Sequence, residues 1–365
     1  MYRIIETIEK EYESCHICPR NCGVNRLKGK KGFCGVDRNS KVFNTAVLVN
    51  EIEEIAPTYA IYFAGCNLRC IFCSVAEENT LISTGKEKTQ MGRDFVEVND
   101  RFIEKIESEI EKLKPKTISF IGGEPSVHLL TIFELIEKLR PKIPLVFYTN
   151  LYYNPRITQI LSEWFEFIVA DMHFGNNTCM RMSTEINNMR MCADYFETTT
   201  ANIKATGNKV ILRHLLLPGH LDCCFKKIID WMSADIPYKP LWLLTNYFPY
   251  LNTQIDMDRK EDTDGHRLDR RIAAASKGLA RMVSADEIAK ALDYAKNKGI
   301  IIKILDLFKL RREMSHCLAD NQEIVINEDG IVAFKYLDGM AVEMARQMEE
   351  HNIPHPSLAH KGRGL

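Results

Sequence analysis

The chain has 365 residues, 45% hydrophobic and 27% charged, which suits one large or two medium globular domains. Its 48 basic and 49 acidic side chains give a formal net charge of -1, which argues against a general polyanion binder such as a nucleic-acid-binding protein. No apolar run approaches the roughly 18 residues of a membrane span, and the acidic start does not fit a signal peptide, so we expect a soluble, cytoplasmic protein with no membrane partner.

Twelve cysteines are unusual in the cytoplasm, where clustered cysteines indicate metal or redox sites. Seven of them lie in the first 73 residues, in two groups. The N-terminal cysteine group comprises Cys15, Cys18, Cys22 and Cys34, and the cysteine triplet comprises Cys66, Cys70 and Cys73. The other five show no ligand-like spacing and are interpreted as small buried hydrophobic residues: Cys179, Cys192, Cys223, Cys224 and Cys317.

Residues 1–50 are predicted to be a loop-rich, metal-binding module, because such a segment cannot build a core of its own. The spacing C-x2-C-x3-C-x11-C supplies four thiolates, enough for zinc, a single iron or a second [4Fe-4S] cluster. The site is interpreted as a structural staple, or alternatively as an electron relay or a wall of the substrate channel. Basic side chains in the same loop are interpreted as a solvated face or a docking site for an acidic partner: Arg26, Lys28, Lys30 and Lys31.

Residues 51–250 alternate strand-like and helical patterns. A strand is predicted over 58–64, directly before the triplet, and a helix over 94–114 that ends at Pro115. Further strand-like runs cover 117–121, 144–149, 167–170, 210–217 and 241–245. This alternation predicts an α/β fold with a parallel sheet, and six strands suit a partial (β/α)6 barrel better than a closed eight-stranded one.

Residues 251–365 are predicted to form an α+β extension that shapes a substrate or cofactor region. A highly charged loop covers 256–271, and a capping box at Ser284 begins a helix that ends near Gly299. A strand over 300–304, a hairpin over 322–337 turning at Asp329 and Gly330, and a Met-rich helix over 340–348 complete the extension.

The C-x3-C-x2-C triplet can hold three corners of a [4Fe-4S] cluster and leave one iron open to an outside ligand. An open metal position indicates chemistry, whereas a closed one indicates structure. By spacing alone, a zinc knuckle or a ferredoxin-type cluster with a distant fourth cysteine is an equal alternative.

The sequence around the triplet, C-N-L-R-C-I-F-C with Phe72 before the last cysteine, resembles the signature of radical S-adenosylmethionine (SAM) enzymes. The segment Gly122-Gly123-Glu124-Pro125, after the second predicted strand, resembles the SAM-binding segment of that family. The resemblance implies a [4Fe-4S] cluster whose open iron is chelated by SAM. It also implies that the glycines and Glu124 meet the SAM amine and that Phe72 packs on the cluster or the adenine.

Over residues 15 to about 250 the chain more closely resembles the homologues of pyruvate formate-lyase activating enzyme. The shared features include C-x2-C-P-R-x-C-G-V-N-R, GGEP with His128, and Arg213-His214 followed by Pro218-Gly219-His220. Two departures set it apart from a plain activase. A glycine-rich segment before the triplet is missing, and the chain continues well past the expected end.

Side chains at the predicted strand ends are candidates for the rest of the site, because barrel enzymes gather their active-site residues there. Asn150, beside Thr149, is assigned to SAM binding. Asp171 is assigned to the ribose or substrate, or else caps its strand. His173 and Arg213 are further catalytic candidates, with a solvated loop position and a structural ion pair as their ordinary roles.

The resemblance implies an enzyme that reductively cleaves SAM and abstracts a hydrogen from a substrate, which we expect to be a residue of a partner polypeptide. An external donor such as ferredoxin or flavodoxin would supply the electron. Alternatives are a glycyl-radical-enzyme activase, a cobalamin-dependent C-methyltransferase and, outside enzymes, an iron–sulfur electron carrier. A test for 5′-deoxyadenosine separates the carrier from the enzymes.

Overall fold

A computed structural model describes residues 2–49, 52–76, 78–79, 82, 94–183, 194–245, 247, 278–279, 281–304, 324–326 and 332–334. The chain divides into two compact units, Met1–Leu305 and Asp306–Leu365. No helix among the described residues is both long and apolar enough to cross a membrane.

Nine strands form one sheet within the described part of the first unit, in the order β3-β1-β2-β4-β5-β6-β7-β8-β9. They are β1 Lys41–Leu48, β2 Thr58–Phe63, β3 Val96–Glu97, β4 Thr117–Gly122, β5 Leu145–Thr149, β6 Phe167–Asp171, β7 Val210–Leu215, β8 Leu241–Leu244 and β9 Ile302–Lys303. From β2 onward every neighbouring pair in this order is parallel, whereas β1 is antiparallel to both β2 and β3.

Helices connect and cover these strands. They are α1 Tyr2–Glu13, α2 Asp100–Leu113, α3 Leu129–Leu139, α4 Pro155–Trp164, α5 Asn177–Ser183, α6 Tyr195–Thr206, α7 Lys226–Asp235 and α8 Ala285–Asn297. Short 3-10 turns cover Arg26–Lys28, Pro125–His128 and Gly207–Lys209, and a π-helical turn covers Leu221–Phe225.

The predicted α/β class with a mostly parallel sheet is confirmed, and each of the six predicted barrel strands is present. The sequential parallel order of β2 and β4 to β8 is the order that a partial (β/α)6 barrel requires. The strand predicted over 300–304 is present as β9, which extends the parallel part of the sheet to a seventh strand.

One short antiparallel edge strand and one helix boundary differ from the prediction. The helix predicted from residue 94 begins at Asp100, because the Asn99 side chain accepts the amide of Phe102 at 3.0 Å and caps the helix there. Val96–Glu97, before this cap, instead pairs with β1.

The N-terminal 50 residues contain more regular structure than predicted. Helix α1 buries Ile8 and Tyr12 completely in the main core, and β1 pairs with β2, the strand that leads into the triplet. The loop-rich description therefore applies to the stretch between them. The predicted domain boundaries near residues 50 and 250 stay predictions.

Two predictions for the C-terminal extension are confirmed. The capping box at α8 is complete, since Ser284 accepts the amide of Glu287 and the Glu287 carboxylate accepts the amide of Ser284. In the second unit, Ile324–Ile326 pairs antiparallel with Val332–Phe334 as a hairpin requires. The charged loop, the hairpin turn and the Met-rich helix lie outside the described residues.

Candidate functional site

The cysteine triplet occupies a tight loop after the carboxyl end of β2. Cys66 and Cys70 are 8% and 7% exposed, and Cys73 is partly exposed. The amide of Leu68 donates to Cys66 Sγ at 3.4 Å, and the amide of Cys73 donates to the Cys70 carbonyl at 3.1 Å. The fold thus brings together the three thiols that the sequence motif selects.

The three thiols lie close enough to affect each other's ionisation. Burial raises the pKa of Cys66 to about 11 and that of Cys73 to about 12, and it raises the pKa of Cys70 well above its ordinary value. Repulsion from the neighbouring cysteines adds to the shift at Cys70 and Cys73. Bound cations would offset this repulsion and favour the thiolates, which is the condition for holding iron.

Amide groups surround the triplet sulfurs. Asn150 Nδ2 lies 3.8 Å from Cys66 Sγ, and Asn79 Nδ2 lies 3.9 Å from Cys73 Sγ. Such N–H groups stabilise anionic sulfur and tune the potential of an iron–sulfur cluster. The donor set therefore fits three corners of a [4Fe-4S] cluster.

The glycines of the GGEP segment let β4 turn against the triplet loop. The amide of Gly123 donates to the Phe63 carbonyl at 2.8 Å, and the amide of Glu124 donates to the Gly65 carbonyl at 2.9 Å. A Cβ on Gly123 would lie 2.1 Å from the Gly65 carbonyl oxygen, and Gly122 has φ +117°. Glycine at both positions is thus needed to seat this segment beside the triplet.

Glu124 connects the ends of β4 and β5. Its side chain is fully buried and accepts the amide of Ser126 at 3.0 Å, the Thr149 hydroxyl at 2.8 Å and the amide of Asn150 at 2.8 Å. Burial raises the pKa of this carboxyl, and these hydrogen bonds oppose the increase. The side chain of Glu124 therefore positions Thr149 and Asn150, while its role toward SAM stays a prediction.

Asn150 extends this network to the triplet. Its Oδ1 accepts the amide of Tyr152 at 2.9 Å, and its Nδ2 donates to Asn67 Oδ1 at 2.8 Å. Asn67 Nδ2 in turn donates to the Tyr152 carbonyl at 2.6 Å. Asn67, inside the triplet loop, was not singled out by sequence reasoning, although its place between two ligand positions is the signal that could have found it.

Asp171 and Arg213 stand opposite each other at the ends of β6 and β7. Arg213 donates from Nε and Nη2 to the two carboxylate oxygens of Asp171, at 2.6 and 2.9 Å. The guanidinium also lies 4.9 Å from the centroid of the Tyr148 ring. The structure thus shows the ion pair that was the ordinary role of Arg213, and the catalytic roles of both residues stay predictions.

His173 and Phe72 belong to one aromatic group beside the triplet. The centroid of the Phe72 ring lies 5.7 Å from that of His173 and 5.6 Å from that of Phe174. Burial lowers the pKa of His173, so the neutral ring is favoured. Phe72 therefore connects the triplet loop to the end of β6, and its packing on cluster or adenine stays a prediction.

His128 and His214, which belong to the motifs of the resemblance, lie in different parts of the fold. His128 is fully buried, stacks on Phe63 with a centroid distance of 4.9 Å and contacts Ser40 Oγ at 2.9 Å through Nδ1. His214 contacts the Met172 carbonyl at 2.6 Å through Nδ1. Burial lowers the pKa of His128 to about 3 and that of His214 to about 4, so the neutral ring is favoured at both positions.

The N-terminal cysteine group lies directly against the triplet loop. A Cβ on Gly65, the residue before Cys66, would lie 2.9 Å from the Cys34 carbonyl oxygen. Burial raises the pKa of Cys18 and Cys34, and the other cysteines of the group reinforce both shifts. The thiols of this group therefore lie near enough to raise one another's pKa.

Arg26 corrects the interpretation of the basic patch. Lys28, Lys30 and Lys31 are exposed, but Arg26 is fully buried, with its guanidinium 3.8 Å from the centroid of the Tyr12 ring. Its Nη2 donates to the Val127 carbonyl at 2.6 Å, in the turn that follows GGEP. Arg26 thus anchors the N-terminal cysteine group to the barrel.

Three of the five remaining cysteines are not the isolated hydrophobic residues that their spacing suggested. Cys179, Cys223 and Cys224 meet one another and His220 after β6 and β7. The missed signal is local, a histidine followed by cysteines three and four positions later. Cys192 and Cys317 lie outside the described residues.

Comparison with known proteins agrees with this site. Residues 60–232 match the model of the Radical SAM superfamily. The uncharacterized protein MJ0674 of Methanocaldococcus jannaschii is 28% identical over 298 residues, which cover 81% of this chain and 78% of that protein.

Two solved structures are similar at low identity. A radical SAM methyltransferase from Sphaerobacter thermophilus is 12% identical, covers 68% of this chain and has a TM-score of 0.42. Native anSMEcpe with bound AdoMet is 14% identical, covers 72% of this chain and has a TM-score of 0.43. The chain spans 66% of the length of each.

Proposed function

The chain carries a radical SAM superfamily domain over residues 60–232 and is an enzyme, and from this premise we propose that it modifies a residue of a partner polypeptide by hydrogen abstraction. The observation that carries the proposal is the triplet itself, three mutually interacting thiols at the end of β2 beside the glycine turn of β4. Three ligands leave one iron of a cubane open, which suits a SAM-binding cluster and not a closed electron carrier.

When bound, a [4Fe-4S] cluster and SAM would supply the reductive cleavage of SAM, with the electron from an external donor, and the abstraction of hydrogen from the substrate. The chain's part is to hold and shield these groups. Cys66, Cys70 and Cys73 would hold the cluster, and the Asn150 amide stabilises negative charge on Cys66. The Glu124 carboxylate holds Asn150 by accepting its backbone amide, and the rings of His173 and Phe174 pack against Phe72 beside the triplet.

The polypeptide substrate is supported by the resemblance to the homologues of pyruvate formate-lyase activating enzyme, whose namesake acts on a protein. A deletion strain compared with its parent by proteome-wide mass spectrometry should reveal one lost modification. If the deletion strain lacks no protein modification and instead accumulates a small molecule, the polypeptide assignment is wrong while the enzyme class stands.

A matched pair of cysteine variants tests the assignment of the triplet. With dithionite and SAM, the anaerobically reconstituted protein should form 5′-deoxyadenosine slowly without substrate. Cys70→Ala should reduce this at least a hundredfold, because a cubane cannot be held while its fourth iron stays open. Cys18→Ala, a buried cysteine in the neighbouring group, should retain measurable cleavage.

The results for these two variants could contradict the proposal in two ways. Undiminished SAM cleavage in Cys70→Ala would show that the triplet does not hold the reactive cluster. Complete loss in correctly folded Cys18→Ala would make the N-terminal cysteine group part of the core reaction.

We further propose that the N-terminal cysteine group holds its own metal, as zinc, iron or an iron–sulfur cluster. The mutual effect of its buried thiols on one another supports this. Reconstituted protein should contain about four iron atoms per chain if this group binds zinc and about eight if it holds a second cubane. A variant with all three triplet cysteines changed to alanine should lose the iron of the triplet and retain the N-terminal metal.

A further inference from the structure

Three cysteines and one histidine converge after β6 and β7, apart from the two cysteine groups described above. The ligand atoms of Cys179, His220, Cys223 and Cys224 all lie within 4.8 Å of one another, and Cys223 Sγ lies 3.3 Å from His220 Nδ1. We name these four residues the Cys3His cluster. Cys179 is 9% exposed and Cys224 is 1% exposed, whereas Cys223 and His220 are half-buried.

One side of the cluster is a single helical turn. His220, Cys223 and Cys224 are spaced i, i+3 and i+4, which places them on one face. The turn is π-helical over Leu221–Phe225, and the amides of Cys224 and Phe225 both donate to the His220 carbonyl, at 3.0 and 3.3 Å. π-helical turns occur frequently at functional sites.

The other side of the cluster is the start of α5, and the residues there contact that turn. Asn176 accepts the amide of Cys179 at 2.8 Å through Oδ1. Its Nδ2 donates to Cys179 Sγ at 3.3 Å and to the Cys223 carbonyl at 2.5 Å. A Cβ on Gly175 would lie 2.2 Å from the Cys224 carbonyl oxygen, so only glycine permits this approach.

The hydrogen bonds just described are typical of those that hold metal ligands in place in proteins. An amide that donates a hydrogen bond to a ligand sulfur is common around protein metal sites, and it stabilises the thiolate form. Cysteines that serve only as small hydrophobic residues need neither this amide nor a histidine among them. Among the described residues, Phe174, Leu217 and Met180 belong to the same buried apolar group as Cys179 and Cys224.

We propose that the Cys3His cluster binds one thiophilic divalent metal ion, best matched to zinc. Three thiolates and one imidazole complete a tetrahedral zinc site. With Zn–S bonds of about 2.3 Å, the ligand atoms of such a site lie about 3.8 Å apart, so small side-chain movements would close the observed group around an ion. A cubane spreads its ligands over four irons and suits this compact arrangement less well.

Four protein ligands make the site closed, so its role is structural. The ion would join the loop after β6 to the loop after β7. Helix α5, which begins at this junction, ends at Ser183, whose carbonyl accepts the amide of Ile71 at 2.8 Å. Ile71 lies between two cysteines of the triplet, so the site would support the triplet loop through α5.

The proposal is independent of the SAM chemistry, and metal analysis tests it directly. Full-length protein is purified without oxygen from zinc-supplemented cells, reconstituted with iron and sulfide, and analysed for both metals by mass spectrometry. Cys223→Ser should lose about one zinc per chain relative to wild type and keep its iron. The matched control Cys70→Ser should lose iron and keep zinc.

A second variant covers the case in which Cys223→Ser does not fold. His220→Cys converts the donor set to four thiolates and should retain the ion. After zinc is replaced by cobalt, the His220→Cys variant should show stronger sulfur-to-cobalt charge-transfer absorption than wild type. Unchanged zinc in both Cys223→Ser and Cys179→Ser would overturn the proposal, as would loss of iron in place of zinc or a disulfide among the three cysteines in anaerobically purified protein.

Discussion

The guanidinium carbon of Arg20 lies 3.4 Å from the centroid of the Phe33 ring. Arg69, from within the triplet loop, lies 4.5 Å from the same ring and donates to the Phe33 carbonyl at 2.6 Å. Arg20 is 1% exposed and donates through Nε to the carbonyl of Asn67. Two cations on one aromatic ring thus connect the N-terminal cysteine group to the triplet.

Arg20 also places a positive charge beside the triplet. Its charge lowers the pKa of Cys66 and Cys70, against the larger effect of burial. The same charge should favour the reduced, more negative cluster. We expect Arg20→Met to lower the midpoint potential of the triplet's cluster by on the order of tens of mV, where about 59 mV is a tenfold change for one electron.

A redox titration monitored by electron paramagnetic resonance measures this shift. Arg38→Met is the matched control, because Arg38 is 40% exposed and pairs with Glu134 on the surface. It should leave the potential unchanged. Equal potentials in the Arg20 variant and wild type would show that its charge does not reach the cluster.

The triplet and the parallel sheet could be predicted because their signals are local. Cys66, Cys70 and Cys73 lie within one short motif, and each parallel strand carries its own apolar run. The Arg20–Phe33 contact and the Cys3His cluster could not be predicted in the same way. The first contact depends on how the loop between α1 and β1 folds, and the cluster is complete only when the sheet order brings Cys179, after β6, beside His220, after β7.

The short strand β3 shows a second limit of prediction from sequence. Phe95 and Val98 fit the three- and four-residue steps from which the helix over 94–114 is predicted, yet Asn99 begins the helix later by capping it. The pairing of β3 with β1 is a contact between distant segments, so a local pattern assigns the residues to the wrong element.

The Asp171–Arg213 pair allows a structural role to be separated from a role in the reaction. Its side chains are 20% and 11% exposed, and both carboxylate oxygens are used. Asp171→Asn should lower the free energy of unfolding by about 2 kcal/mol, because charged hydrogen bonds are lost and Arg213 is left without its partner. Arg213→Gln combined with Asp171→Asn should restore part of that stability.

Urea titrations give the stability, and formation of 5′-deoxyadenosine gives the function. Asp235→Asn, which breaks the more exposed pair with Lys204, should cost less than about 1 kcal/mol. If the double variant recovers stability but not SAM cleavage, the pair acts in the site. Recovery of both would show that the pair is structural only.

His214 predicts an acid sensitivity of the fold. Burial lowers its pKa to about 4, below the roughly 6.5 of an unfolded histidine. Above pH 6.5 the ring is neutral in both states and has no effect on stability. Between about pH 6.5 and 4 only the unfolded chain takes up the proton, so His214 should lower the free energy of unfolding by up to about 1.4 kcal/mol per pH unit.

His214→Asn should remove that part of the slope, since an amide can still donate to the Met172 carbonyl and does not titrate. Urea titrations at pH 7.5, 6.5 and 5.5 measure the difference. Between pH 7.5 and 8.5 the two proteins should show the same pH dependence. A variant as acid-sensitive as wild type would mean that His214 is protonated in the folded protein.

The division of the chain after Leu305 predicts separate functions for the two units. The triplet, the glycine turn and the Glu124 network all lie in Met1–Leu305. Deletion of residues 306–365 should therefore spare the iron of the triplet and the slow SAM cleavage that needs no substrate. Turnover of the substrate should fail, because elements added to a barrel usually shape the substrate side.

The same truncation tests the cobalamin-dependent methyltransferase alternative, because the C-terminal extension is the only feature that suggested it. Wild type and truncated protein are incubated with hydroxocobalamin, desalted and compared by ultraviolet–visible absorption. Corrinoid kept by wild type and lost on truncation would assign the extension to cobalamin binding. If neither protein retains corrinoid, that alternative loses its basis, and hydrogen abstraction without methyl transfer becomes the reaction that substrate searches should assume.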